Sequence, residues 1–299
     1  MTGPTRQVQA MQIRLGYEIA IECPVETPVI SLLEINPERR GDIVRQTRVL
    51  TSPQTASIVY KDRHGNLCRR LLAPAGGVRL LYDAVVEDSG EPDRARPGAP
   101  MTRVEDLPDD ALVYLLGSRY CETDHLSDLA WKLFGGIEGG WERTQAIVDY
   151  VHERLSFGYN YARATRTAAQ AHEERVGVCR DFAHLAIALC RCMNIPARYV
   201  NGYLGDIGVP ADPAPMDFSA WFEAWIDGEW FTFDARHNKP RIGRVVIARG
   251  RDATDVPLLH TFGQHRLSFF KVWTYEQEKH PARPPANGVD RTLPASVLA

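Results

Sequence analysis

Hydrophobic and polar residues alternate along the first third of the chain. The apolar members of the first series are Ile13, Leu15, Tyr17, Ile19 and Ile21. Their period of two, between mostly polar or small neighbours, is typical of a half-buried strand. Two further apolar runs flank the Gly-containing loop at 62–66, and another run covers 78–86. Because strand follows strand without a helical period between them, residues 11–88 are predicted to form an antiparallel, β-rich N-terminal domain.

The apolar period changes after a stretch rich in proline and glycine at residues 89–102, which is predicted to be a linker. Residues 103–275 follow as a core of three helices and several strands, the third helix beginning near Cys179. The Asp-Gly pair at 227–228 predicts a tight turn between two of these strands. Residues 276–299 are predicted to be a loosely ordered tail. The predicted fold class is therefore α+β.

Composition and charge exclude several classes of protein. The chain has 44% hydrophobic and 24% charged residues and a net charge of −3, which argues against a strongly basic nucleic-acid binder. It contains neither an apolar run near 20 residues nor a signal-peptide pattern, so we expect a cytoplasmic protein without a membrane partner. The six cysteines include no CxxC pair, and no two histidines have helical ligand spacing. We therefore expect no metal and no cofactor.

One segment carries candidate chemistry. In GVCRDFAH, at residues 177–184, Cys179 stands at the mouth of the third predicted helix. Free amides and the helix dipole at such a position favour a thiolate and can hold a developing oxyanion. The alternative is that Cys179 is a small buried apolar residue, as most free cysteines are. Cys190 and Cys192 are assigned to that alternative.

The cysteine segment and two later ones carry a family resemblance. GVCRDFA at 177–183, MDFSAWFEA at 216–224 and WFTFDAR at 230–236 resemble the bacterial transglutaminase-like superfamily. LLGSRYC at 115–121 looks like the start of that core, and the resemblance covers about residues 11–275. It implies a papain-like core preceded by a β-rich domain.

The resemblance also implies a catalytic set of cysteine, histidine and aspartate. Cys179 matches the nucleophile and Asp234 matches the third member. The histidine position falls on Ser219, which departs from the family pattern. A serine hydroxyl is too short to bridge the other two groups and cannot hold a proton as a base near neutral pH.

Strand alternation provides a separate test of this set. With 227–228 as the turn, Ser219 and Asp234 lie on one face as diagonal neighbours, at roughly 7–8 Å between backbones. His237 then points to the opposite face unless the strand ends or bulges first, which leaves it as an alternative base. His172 lies just upstream of Cys179 and could fold back as a further alternative base. As single residues, however, His172, His184, His260 and His265 are each expected to pack or to lie on the surface.

Two aromatic residues are weaker candidates. Trp221 should lie near Asp234 and is a candidate for substrate binding, with core packing as the alternative. Tyr159 precedes the cysteine loop, where related enzymes often place an aromatic residue that helps to hold the oxyanion. Strand packing is the alternative for Tyr159.

Two functions remain open. The first is a cysteine-nucleophile acyl-transfer enzyme, either an amidase or peptidase or a transglutaminase-like enzyme, which acts on protein or peptide amides through a thioester at Cys179. The second is a non-catalytic module that binds a protein or peptide, with the catalytic set broken at Ser219. Loss of a positioned base removes a factor of about 10²–10⁴ in rate, so the identity of the base separates the two.

Overall fold

The N-terminal part of the chain consists mainly of strands, with one short 3-10 helix (Pro37–Asp42). The structure, a computed structural model, describes residues 11–277. Its first strands are β1 (Met11–Glu22), β2 (Thr27–Ser31), β3 (Ile43–Gln46), β4 (Leu50–Ser52), β5 (Ser57–Lys61), β6 (Leu67–Ala73) and β7 (Val78–Asp88). All five apolar residues that alternate along β1 are buried. β5 and β6 form the antiparallel hairpin that the loop at 62–66 predicts.

The second half mixes helices and strands. Its helices are α1 (Asp109–Leu112), α2 (Thr123–Phe134), α3 (Gly140–Arg154), α4 (Ala168–Glu174) and α5 (Cys179–Cys192). Its strands are β8 (Ser156–Phe157), β9 (Val176–Gly177), β10 (Ala197–Tyr203), β11 (Ser219–Ile226), β12 (Glu229–Phe233) and β13 (Val245–Gly250). α5 is buried along nearly its whole length and packs against β11 on one side and α2, α3 and α4 on others.

The strands form three main sheets. Two late strands, β14 (Leu259–Thr261) and β15 (Arg266–Gln277), complete the N-terminal ones. One N-terminal sheet has the order β15-β1-β7-β3, with β4 also on β7, and the other has the order β14-β2-β6-β5. The core sheet has the order β12-β11-β10-β13, with antiparallel neighbours. The predicted α+β class, with antiparallel N-terminal sheets, is confirmed.

The two late strands pair with N-terminal strands, although they fall almost wholly within residues 103–275, which are predicted to form the core. β15 pairs with β1 along eleven residue pairs, and β14 pairs with β2. The reason is that β1, in the middle of its sheet, needs a partner on each edge, and β7 supplies only one. The bounds of the N-terminal domain, at 11–88, stay a prediction. From residue 278 the predicted tail lies outside the described residues.

Polar contacts join the N-terminal sheets and the linker to the core. Asn66 donates to the carbonyl of Arg249 at 2.7 Å and accepts from its amide at 2.8 Å. Asp93, in the predicted linker, accepts from Arg244 and from the backbone of Arg241. Residues 89–102 therefore follow the core surface through specific bonds. No helix within residues 11–277 is both long and apolar enough to cross a bilayer.

Candidate active site

A buried acidic cap fixes the start of α5 and therefore the position of Cys179. Asp181, in the first turn, accepts a hydrogen bond from the backbone N–H of Val178 at 2.9 Å and one from Arg166 at 3.1 Å. Gly177 is required next to this cap, since a Cβ there would lie 2.6 Å from the Cβ of Asp181. Cys179 is the first residue of the helix, where the amides and dipole face a developing negative charge.

A short parallel strand pair brings Tyr159 beside the cysteine. Phe157 on β8 lies opposite Gly177 on β9, and the N–H of Gly158 donates to the carbonyl of Gly177 at 3.1 Å. Tyr159 and Cys179 each lie two residues after the end of their strand, so the parallel pairing places them side by side. Burial raises the pKa of Tyr159 to about 12, so its phenol keeps the proton and can donate it in a hydrogen bond.

Cys179 opens onto a narrow cleft. The six cysteines are all free, and Cys179 alone among them is partly exposed. The polar residues that line the cleft include Tyr159, Cys179, Asn201, Asp217 and Ser219. The cleft has a volume of about 70 Å³, and a single water needs roughly 10–15 Å³ on this measure. It therefore has room for a few waters or a slender acyl group beside the sulfur, and the rest of a larger substrate would lie outside.

Ser219 lies on the wall of this cleft, as the strand alternation predicts. It is the first residue of β11 and pairs with Gly202 of β10. Its hydroxyl is buried and has no hydrogen-bond partner among residues 11–277. The turn at 227–228 places Ile226 opposite Glu229, which is the predicted register. No hydrogen bond joins Ser219 to Asp234 in the described part of the chain.

Asp234 and His237 form a hydrogen-bonded pair that the extended-strand register did not predict. β12 ends at Phe233, and the chain then turns, with the N–H of Asn238 donating to the carbonyl of Asp234. Both oxygens of the Asp234 carboxylate are used: Oδ1 accepts from the amides of Arg236 and His237 at 3.0 Å, and Oδ2 lies 2.9 Å from His237 Nδ1. The expectation that His237 faces away applies only to a continuing strand and is corrected here.

A second partner of Asp234 comes from farther along the chain. Arg244 donates from Nη2 to Asp234 Oδ2 at 2.9 Å and from Nε to Asp93. Burial by itself would raise the pKa of Asp234, but the Arg244 guanidinium and the His237 contacts outweigh it and hold that pKa well below its usual range. Asp234 is therefore a carboxylate at any ordinary pH.

The electrostatics at the sulfur differ from those of an activated thiolate. Burial raises the pKa of the Cys179 thiol, and the negative charges of Asp217 and Asp234 add to the rise. Arg236 and a hydrogen bond from the backbone N–H of Ala220 oppose it without reversing it. At neutral pH the isolated site holds mainly the thiol, so attack on a carbonyl needs a proton acceptor.

Trp221 does not reach the cleft, which corrects its predicted role in substrate binding. Its side chain is 1% exposed and lies under the guanidinium of Arg244, whose central carbon is 4.8 Å from the ring centroid. Trp221 and Glu223 line a separate cavity near the linker. The reason is that Trp221 lies two residues farther along β11 than Ser219, where the Arg244 guanidinium covers its ring.

None of the four other histidines considered from the sequence lines the cleft of Cys179. His184 is buried and accepts from the backbone N–H of Ala253 at 3.1 Å, and His172 lies 2.7 Å from the hydroxyl of Tyr150. His260 is in β14, and His265 lies in the loop between β14 and β15, 2.6 Å from the hydroxyl of Thr261. Within residues 11–277, no three His, Cys, Asp or Glu side chains cluster as a metal site would require.

Three charged residues of the site, Asp217, Arg236 and Arg244, are not among the residues that the sequence pattern indicates. Asp217 stands two positions before Ser219, and the period of a strand would have placed it on the same wall. Arg236 lies 3.7 Å above the ring of Phe157 and follows from the turn. No local sequence pattern indicates a role for Arg244, because its contacts form only when the loop after β12 folds back.

Comparisons with known proteins agree with this architecture. A family model described as the transglutaminase-like superfamily matches residues 127–235, which contain α5 and the β11–β12 hairpin. The structure is similar to the crystal structure of a protein from Cytophaga hutchinsonii that is assigned as a cysteine protease. The two have 30% sequence identity and a TM-score of 0.79, and the match covers 95% of this chain and 96% of that one. The chain belongs to the transglutaminase-like superfamily. Family and geometry together support a cysteine-based enzyme as the general class.

Curated relatives match shorter segments. An uncharacterised protein of Mycobacterium leprae is 39% identical over 83 residues, which are 27% of this chain and 29% of that protein. Another, from Mycobacterium tuberculosis, is 33% identical over 119 residues, or 36% of this chain and 38% of that protein. The matched segments thus span well under half of these relatives.

Proposed function

We propose that the protein is a cysteine-nucleophile acyl-transfer enzyme that acts on protein or peptide amides through a thioester at Cys179. The observation that carries the proposal is the position of Cys179, the one partly exposed thiol, at the start of α5 and in a cleft of about 70 Å³. A nucleophile at a helix N-terminus has the amides for an oxyanion next to the atom that attacks.

The first half-reaction forms a thioester and releases an amine. The sulfur attacks the amide carbonyl, the carbonyl electrons move to oxygen, and collapse of the intermediate expels the amine after it takes a proton. The phenol of Tyr159 is protonated and lines the same cleft, so it can donate a hydrogen bond to the oxyanion. Water or an amine then attacks the thioester, which separates hydrolysis from acyl transfer.

The narrow cleft favours an extended acyl chain as the bound part of the substrate. A glutamine side chain, or the chain preceding a peptide bond, presents its carbonyl on such a stem. Other groups of the substrate would lie on the open side, where the cleft adjoins a second cavity of about 80 Å³ lined by Arg236 and His237. Its polar walls fit a peptide backbone better than an apolar ligand.

A binding module is the second candidate, and one observation favours it. Ser219 replaces the family histidine, and the pKa of Cys179 is raised. A protein that only grips a peptide in this cleft would need neither a thiolate nor a base. Thioester formation at Cys179 separates the two candidates.

The experiment uses p-nitrophenyl acetate, an activated acyl donor that requires little recognition. We expect a burst of p-nitrophenolate and an acetyl group on the peptide that contains Cys179, found by mass mapping. Cys179→Ala should abolish both, whereas Cys192→Ala, at the other end of α5, should retain them. An N-blocked glutaminylglycine peptide with hydroxylamine then tests amide chemistry. Absence of acetyl-Cys179 in the wild type would contradict the enzyme and support the binding module.

A further inference from the structure

We propose that Asp217 takes the place of the missing histidine and accepts the proton of Cys179. The inference rests on the proposed function, since it names the base for the same thiol. Asp217 lies just before β11, two residues ahead of Ser219, and lines the same cleft as Cys179. It also lines the adjoining cavity that contains His237, so it stands where the two open spaces meet.

The bonding of Asp217 leaves it available for proton transfer. Its Oδ1 accepts from the backbone N–H of Phe218 at 2.7 Å, and this is its one hydrogen bond within residues 11–277. No Lys, Arg or His in that part of the chain forms an ion pair with it. Asp234 offers the contrast, because Arg244, His237 and two amides occupy both of its oxygens. A carboxylate held in that way is a poor proton acceptor, whereas Asp217 retains open lone pairs.

Burial is the largest cause of the raised pKa values of both groups. Burial raises the pKa of Asp217 to about 7, with Arg236 and the Phe218 amide opposing the rise. The charge of Asp217 in turn raises the pKa of Cys179. A base whose pKa is near the working pH is best suited to general acid–base catalysis.

Other ionisable groups face this pair from each neighbouring element. Arg236 comes from the turn after β12 and favours both anions, and Asp234, from the same turn, disfavours the thiolate. Tyr159 and Tyr199 are neutral phenols whose pKa values burial raises. Arg180 lines the cleft from α5, and His237 lines the adjoining cavity.

Neither Ser219 nor His237 fits the role as well. Ser219 cannot hold a proton near neutral pH. His237 commits Nδ1 to Asp234 at 2.9 Å, and it lines the adjoining cavity rather than the cleft of the sulfur. Asp217 is the carboxylate that lines both the cleft of Cys179 and the adjoining cavity of His237.

Asp217 by itself can accept and return every proton that the two half-reactions require. As the S–C bond forms, the thiol proton moves from Cys179 to the Asp217 carboxylate, and the carbonyl π electrons move to oxygen. The carboxylic acid then gives that proton to the leaving nitrogen as the C–N bond breaks. In deacylation the regenerated carboxylate takes a proton from water, hydroxide adds to the thioester, and the proton returns to the departing sulfur.

The test measures the pH dependence of iodoacetamide labelling of Cys179 in the full chain. Two interacting ionisable groups titrate in two macroscopic steps, so we expect the labelling rate of the wild type to change with pH in two steps. Asp217→Asn should leave one ionisation and make labelling at pH 7 faster, because the repelling charge is gone. Asp217→Glu and the matched control Asp212→Asn, an exposed carboxylate of the same loop, should retain two steps. His237→Gln should also retain both.

Acyl turnover supplies the second readout. With p-nitrophenyl acetate, Asp217→Asn should keep the burst and lose about 10²–10⁴-fold in the steady-state hydrolysis of acetyl-Cys179. A faster thiol together with a slower turnover is a combination that a purely structural residue would not give. A single ionisation in the wild-type labelling profile would overturn the proposal. So would a profile in which His237→Gln, and not Asp217→Asn, loses the second ionisation. A missing burst in the wild type refutes the enzyme itself, and labelling still decides the pairing.

Discussion

Replacement of Arg244 by methionine tests the charge network that holds Asp234. Arg244→Met keeps most of the length of the side chain and removes the guanidinium, which donates to Asp234 at 2.9 Å and to Asp93 at 2.9 and 3.0 Å. The Arg244 and Asp234 side chains are 6% and 3% exposed. The variant therefore leaves a carboxylate buried with His237 as its remaining side-chain partner.

The expected decrease in the free energy of unfolding follows from this burial. Removal of one partner from a buried ion pair costs about 3–5 kcal/mol, because the other charge stays in a poorly solvating environment. The pair of Arg266 with Glu22 is the matched control, with side chains 66% and 50% exposed. Arg266→Met should cost about 0–1 kcal/mol.

The pH dependence provides the sharper test. The pKa of Asp234 is depressed in the folded protein, so its stabilising effect is present above the unfolded value of about 3.9 and is lost as the pH falls through the folded pKa. Without the guanidinium, burial should raise that pKa. The difference between wild type and Arg244→Met should therefore be largest near pH 7 and shrink on acidification.

Urea unfolding at several pH values, followed by tryptophan fluorescence and far-ultraviolet circular dichroism, measures both effects. A loss no larger than that of Arg266→Met would refute the reasoning about burial. A difference that stays constant from pH 7 down to pH 4 would refute the assignment of the effect to Asp234.

Three further outcomes follow from the site and its surroundings. Sub-stoichiometric iodoacetamide should label Cys179 first, because the buried thiol of Cys121 has its pKa raised to about 12; peptide mapping that finds Cys121 first would contradict this. Ser219→His should lower the pH of half-maximal labelling of Cys179 by about 1–3 units through an imidazolium beside the sulfur, and an unchanged midpoint would show that the position does not face the thiol. Arg96→Ala, which removes ion pairs to the β11–β12 turn, should speed limited proteolysis within 89–102, whereas equal rates would show that these pairs do not hold the linker.

Local features of the chain predicted the elements that frame the site. The Asp-Gly turn was predictable because residues 227 and 228 take φ values of 48° and 87°, which that pair tolerates. The period of two along β1 and the helical spacing after Cys179 depend only on which face is buried. The position of Cys179 at the first residue of α5 followed from the same local signals.

Long-range contacts decided the rest. The pairing of β1 with β15 joins strands at opposite ends of the described chain, and no local period encodes such a partner. The end of β12 at Phe233 turned His237 toward Asp234, because the Asp234 carboxylate binds the amides of its own turn in place of a strand partner.

The identity of the groups around the sulfur depends most on the tertiary structure. The sequence alone showed that Ser219 replaces a histidine and cannot be the base. It could not show the raised pKa of Asp217, since burial and the approach of Arg236 arise only when β8, α5 and the β12 turn pack together. The sequence identifies which side chains can ionise, but the pKa of each one depends on its desolvation and on the charges that folding brings near it.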